Sequence, residues 1–236
     1  MTNAQVVSGW IDTRRIKALL FDVDGTLSNT DDRYVSRLAR GLEPLKWLFQ
    51  DRDPSRFARW VVMAIDAPAN SLYSLADRLG LDKPFFKFIN WITRKTRLKR
   101  RPQDRYWIIA GIEEMLAKLH GQYPLAVVSA RDKETTLAFL DFFALTPYFD
   151  VIVTGRTCNH TKPFPDPVLY AAETLGISPD DCLMVGDTVV DIHAGRLAGA
   201  QTAGVLCGFG QQDELAHAGA DIILQNTTDL VSLLSD

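Results

Sequence analysis

At 236 residues, 47% of them hydrophobic and 23% charged, the chain can bury a substantial core, as one domain with a large insertion or as two unequal domains. A formal net charge of −3 gives no electrostatic reason to expect nucleic acid or an acidic membrane surface as a partner. Cys158, Cys182 and Cys207 are odd in number and lack metal-like spacing, so they read as reduced thiols; no leader sequence and no apolar run of membrane-spanning length is recognised, and the expectation is a soluble cytoplasmic protein without a membrane partner.

In chain order, residues 1–14 form a polar lead-in whose Trp10 is expected to pack on the edge of the main domain. The apolar run Ile16–Phe21 follows, with no clean alternation, as suits the centre of a parallel sheet covered on both faces. It ends in Asp22-Val23-Asp24-Gly25-Thr26. If strand geometry persists, Asp22 and Asp24 point to one side, and two carboxylates so placed call for a divalent cation or for a division of labour between nucleophile and acid–base group. Gly25 eases the sharp exit of the chain, and Thr26 adds a hydroxyl beside exposed amides. An Asp-rich turn capping a core strand is the plain alternative for this stretch by itself.

From Ser28 to Arg105 no strand-like run occurs. Leu38, Leu42, Leu45 and Leu48 fall at helical spacing, as do Phe85, Phe86, Ile89 and Ile92, while Phe57, Val61, Ile65 and Leu72 mark a region broken near Pro68. The reading is an α/β core of residues 1–27 and 106–236 with an all-helical cap, residues 28–105, inserted after the first strand. Arg94–Arg101 packs six basic side chains into eight residues. This is a solvated cap face, a cationic rim for a doubly anionic ligand, or a docking patch for a partner or nucleic acid; the rim is the favoured functional reading, with Arg94, Lys95 and Arg97 as its candidates.

Beyond the insertion, helices through Ile108–His120, Glu134–Leu145, Pro167–Leu175, Val190–Ala198 and from Asp213 alternate with strands Leu125–Ser129, Val151–Thr154, Cys182–Gly186, Thr202–Cys207 and Ile222–Leu224. The pattern predicts a doubly wound, Rossmann-like parallel sheet, in which ligands bind at the carboxyl ends of strands. Chemistry-bearing residues fall at those ends. Ser129, with the amide of Ala130 behind it, is a seat for an anion or a local helix cap. Lys162 lies in the loop Thr161-Lys162-Pro163-Phe164-Pro165, which the prolines stiffen in advance of binding. Gly186-Asp187-Thr188-Val189-Val190-Asp191 ends a strand in one carboxylate and places a second in the first turn of a helix, where its charge is favoured. If those strands are neighbours, four acidic groups converge with a lysine and a hydroxyl, which is the composition of a metal-and-phosphate site.

These residues resemble the four motifs of the haloacid dehalogenase-like superfamily, in the helical-capped branch, and in layout the chain is similar to phosphoglycolate phosphatases. The resemblance implies Asp22 as the nucleophile that becomes an aspartyl phosphate, and Asp24 as the group that protonates the leaving alcohol and then activates water. It implies Mg²⁺ held by Asp22, the backbone carbonyl of Asp24, and Asp187, with Asp191 in support. Thr26, Ser129, Ala130 and Lys162 would bind the phosphoryl group, and the first strand would lie between the second and fourth. The implied substrate is a small phosphorylated metabolite, handled by a monomer or homodimer. Asp24 stands where haloalkanoate dehalogenases have no aspartate. The sequence also lacks the early cap histidine usual in phosphosugar mutases of the β-phosphoglucomutase type, because His120, His160, His193 and His217 lie outside the insertion and Tyr34 stands near that place. A mutase, and a non-catalytic binding protein on the same scaffold, remain the alternatives.

Overall fold

The computed structural model describes residues 6–29, 42 and 106–235. The chain divides into two compact units, Met1–Asn29 with Ile108–Asp236, and Thr30–Trp107. Leu42 excepted, the helices read between Ser28 and Arg105, and with them Arg94, Lys95 and Arg97, lie outside the described residues.

The first unit is built on a seven-stranded sheet: β1 (Val6–Gly9), β2 (Ala18–Phe21), β3 (Leu125–Val128), β4 (Val151–Val153), β5 (Cys182–Gly186), β6 (Gln201–Val205) and β7 (Ile222–Leu224), in the order β1-β7-β6-β5-β2-β3-β4. Every pairing is parallel except β1 with β7. The described helices of this unit are α1 (Ile112–His120), α2 (Lys133–Phe142), α3 (Asp166–Leu175), α4 (Val189–Ala198), α5 (Gln212–Ala218) and α6 (Leu230–Leu233), with short 3-10 turns between some of them. They supply the crossovers that parallel strands require. The central strand β2 is wholly buried, as its unbroken apolar run requires. Ala18 and Leu20 share a core cluster with Ala126 and Val128 of β3, Met184 of β5, Val168 and Ala171 of α3, and Ala194 of α4. Alternation turns Leu19 and Phe21 to the opposite face, where the Phe21 ring meets Phe149 edge to face at 6.4 Å.

Several readings of the sequence need correction. The polar lead-in contains a strand, β1, whose edge position depends on the open side of β7, and Trp10 is 73% exposed instead of packed on the domain edge. The helix read from Ile108 begins at Ile112, because Gly111 adopts a left-handed conformation (φ 83°) just before it. Helix α2 starts three residues beyond Ala130, capped by Asp132, whose carboxylate accepts from the Thr135 amide at 2.9 Å. Helix α6 carries no periodic signal of its own and was not read. The three cysteines are free thiols. Among the described residues no helix is long and apolar enough to cross a membrane.

Candidate active site

The register of β3–β2–β5 assembles the site. Phe21 pairs with Val127 on one side and Val185 on the other, so the residues that follow all three strands emerge at one edge of the sheet. The Asp22 amide still donates to the Val185 carbonyl at 2.9 Å. After it the chain turns sharply: the amides of Leu27 and Ser28 both donate to the Val23 carbonyl. Strand geometry therefore ends at Phe21, the period-two argument does not extend to Asp24, and the two carboxylates are held by different cations.

Asp22 is 7% exposed and its Oδ1 accepts from Lys162 Nζ at 2.7 Å, while the same ammonium donates to Asp191 Oδ1 at 2.5 Å. All three side chains are nearly inaccessible, so each charge depends on the others for compensation. Burial raises the Asp22 carboxyl to about 7; Lys162 opposes that rise, and the charges of Asp191 and Asp24 add to it. For Lys162, burial works to lower the pKa, but Asp191 and Asp22 outweigh it and hold the ammonium above its ordinary value.

Asp191 is the third residue of α4 and, as expected, lies in its first turn. Its Oδ2 accepts from the Thr188 amide at 3.0 Å and the Thr188 hydroxyl at 2.6 Å, the reciprocal half of a capping box. Asp187 follows β5 directly and is fully buried. Its Oδ2 accepts from the Phe209 amide at 2.8 Å and its Oδ1 from the Thr26 hydroxyl at 3.3 Å. Two glycines wall in this carboxylate: a Cβ at Gly25 (φ 72°) would stand 2.1 Å from Asp187 Oδ2, and one at Gly208 would stand 2.2 Å away. Thr26 thus directs its hydroxyl to Asp187, and its carbonyl accepts from the Thr227 hydroxyl at 2.7 Å.

Oxygen atoms of Asp22, Asp187 and Asp191 all lie within 4.8 Å of one another. Among the described residues, three buried carboxylates stand beside one buried ammonium, that of Lys162, in a site that water reaches poorly. An all-oxygen donor set of this kind fits a hard divalent cation such as Mg²⁺. Of the four carboxylates expected to converge, the structure gathers these three.

The carboxylate of Asp24 turns instead to Arg131, whose Nε and Nη2 donate to its two oxygens, Oδ2 and Oδ1. Ser129 is buried at the end of β3; its amide donates to the Val153 carbonyl at 3.0 Å and its Oγ accepts from the Arg131 amide at 3.2 Å. Ala130 follows it, exposed, on the same turn. Sequence reasoning assigned no role to Arg131 or to Gly208-Phe209-Gly210. A glycine on each side of an amide donor, just beyond strand β6, was the available signal for the second. The first had only its place two residues after Ser129.

A family model described as haloacid dehalogenase-like hydrolase matches residues 19–205. The chain is 30% identical over 232 residues to an N-acetylmuramic acid 6-phosphate phosphatase of Pseudomonas aeruginosa, covering 93% of this chain and 95% of that one. It is 31% identical over 228 residues to a phosphoglycolate phosphatase of Aquifex aeolicus, covering 94% and 98%. In fold it is similar to a hydrolase from Pseudomonas syringae, with a TM-score of 0.67 at 23% identity over 93% of this chain and 98% of that one. With its parallel sheet, its strand-end carboxylates and a match across most of its length, the chain belongs to the haloacid dehalogenase-like hydrolase family, among relatives named as phosphatases.

Proposed function

We propose that the protein is a cytoplasmic phosphatase that hydrolyses a small phosphorylated metabolite through an aspartyl phosphate on Asp22, with Mg²⁺ as cofactor. The observation that carries this reading is the buried group of Asp22, Asp187 and Asp191 around Lys162, at the ends of two adjacent strands. Asp22, Asp187 and the backbone carbonyl of Asp24 would hold the cation, supported by Asp191. When bound, it neutralises charge on the phosphoryl oxygens.

The residues divide the remaining work. Lys162 favours the ionised form of Asp22 and offers a fixed positive charge to the phosphoryl group. The Asp22 carboxylate attacks phosphorus as the bond to the leaving oxygen breaks, and Asp24 delivers a proton to that oxygen. Asp24 then takes a proton from water as the water attacks phosphorus; phosphate leaves and Asp22 is regenerated. Ser129 and the amide of Ala130 receive phosphoryl oxygens. Thr26, with its hydroxyl on Asp187, serves the carboxylate cluster. In this reading Arg94, Lys95 and Arg97 attract the anionic substrate.

The test is phosphate release by the purified protein from a panel of phosphosugars, phosphoglycolate and nucleoside monophosphates. At least one member is hydrolysed with Mg²⁺ and none after chelation. Silence across the panel, or undiminished turnover without any divalent ion, overturns the proposal.

A further inference from the structure

Arg131 occupies a place that the four-carboxylate, one-lysine reading of the sequence leaves without a role. Its guanidinium grips both oxygens of Asp24 with two neighbouring nitrogens, the fork geometry that fixes a carboxylate in position and in plane. The arginine is itself anchored. Its amide donates to Ser129 Oγ at 3.2 Å, its carbonyl accepts from the Gly155 amide at 2.8 Å, and its guanidinium carbon lies 5.5 Å from the centre of the Phe139 ring. Gly155 suits that close approach, since a Cβ there would stand 2.4 Å from the Ala130 carbonyl oxygen. The Arg131 side chain is 18% exposed and that of Asp24 35%, so this pair is less buried than the Lys162–Asp22 pair beside it, at 3% and 10%.

From this geometry we infer that Arg131 is a positioning residue for Asp24: it sets where that carboxylate stands and ties it to the Ser129 turn that receives the phosphoryl group. The inference rests on the proposed reading, in which Asp24 exchanges protons and Asp22 makes the covalent bond. Arg131 then acts on the proton-exchanging steps and not on the displacement at Asp22. Lysine at this position keeps the charge but cannot reproduce the two-pronged grip.

The experiment compares wild type, Arg131→Gln, Arg131→Lys and Asp22→Asn by rapid quench. It uses p-nitrophenyl phosphate, whose leaving group needs no proton, and an alkyl phosphate, whose leaving group does. Melting temperature is recorded for each variant. Wild type forms a hydroxylamine-labile phosphoenzyme and Asp22→Asn does not. In Arg131→Gln the aryl substrate still labels the enzyme at near wild-type rate, hydrolysis of the phosphoenzyme slows at least about tenfold, and labelling by the alkyl substrate slows likewise. Arg131→Lys recovers part of that loss. Equal losses for both substrates with a raised KM would make Arg131 a substrate ligand and overturn the inference. Unchanged kinetics in a variant that melts normally would do the same. Absence of phosphoenzyme from wild type with either substrate would instead overturn the underlying reading.

Discussion

Asp187 shows how much of a site can be decided by side chains that are missing. Its carboxylate lies between Gly25 and Gly208 and takes hydrogen bonds from Thr26 and the Phe209 amide, so its orientation is set by backbone on both sides. Gly208→Ala would bring a methyl group to 2.2 Å from Oδ2, far inside van der Waals contact, and either the loop or the carboxylate must move. The expected outcome is a roughly 10- to 100-fold loss of Mg²⁺ affinity by titration calorimetry, the range seen when groups that orient a metal ligand are changed. Unaltered affinity would mean that Asp187 is not a ligand or that the loop yields freely. Arg131 belongs to the same scale. Nothing in the sequence separates it from an ordinary surface arginine, because its significance comes from Asp24, 107 positions away. Asp22 and Asp187 were legible because each follows an apolar run at a strand end, Asp191 because it falls in the first turn of the next helix, and all three gained weight from occurring together.

Among the elements, α4 carries the most function in the fewest residues. The carboxylate of Asp191 takes the Thr188 amide and hydroxyl on one oxygen and Lys162 on the other, so the start of the helix and the charge balance of the site share a single group. Thr188→Ala should cost about 1 kcal/mol, as the loss of an N-cap side chain generally does, seen as a lower denaturation midpoint with an unchanged slope. It should also weaken Mg²⁺ binding, and Thr188→Ser should restore both. A stability loss with full Mg²⁺ affinity would confine Thr188 to capping. Strands β5 and β7 were read to the residue because turn-forming residues close their apolar runs, whereas β1 offers only Val6 and Val7 before Ser8 and Gly9. Its cause is the open edge of β7, a tertiary fact that no local pattern records. The start of α2 was read to within one residue, at Glu134 for Lys133, but its cap is Asp132 and not Ser129, since the Thr135 amide donates to the Asp132 carboxylate.

At the scale of the molecule, the buried carboxylates are an electrostatic cost that a bound cation would offset. A ligand taken up by the folded form alone, at a hundred times its dissociation constant, stabilises by about 2.7 kcal/mol. For a protein of this size that corresponds to a rise in melting temperature of roughly 5–10 °C. Thermal melts with and without saturating Mg²⁺ should show it, chelator should reverse it, and Asp187→Asn should abolish it. A melt indifferent to Mg²⁺ in wild type would remove the cation from the account of stability.

The place of β2 at the middle of the sheet bears on the birth of the protein as well as its chemistry. Its partners lie far downstream, since Leu19 waits for Leu125 and Leu20 for Met184. On a ribosome adding about 5–20 residues per second, the first of those partners is made roughly 5–20 s after β2. Throughout that interval the nascent chain carries a bare apolar strand, Ala18–Phe21, tipped by Asp22 and without its neighbours. A wholly buried strand therefore stays without its partners for that interval during synthesis, which makes it a segment for a ribosome-associated chaperone to cover. Asp22 is among the first residues of the site to be made, and it gains its lysine and its companion carboxylates only when translation is most of the way to the end of the chain.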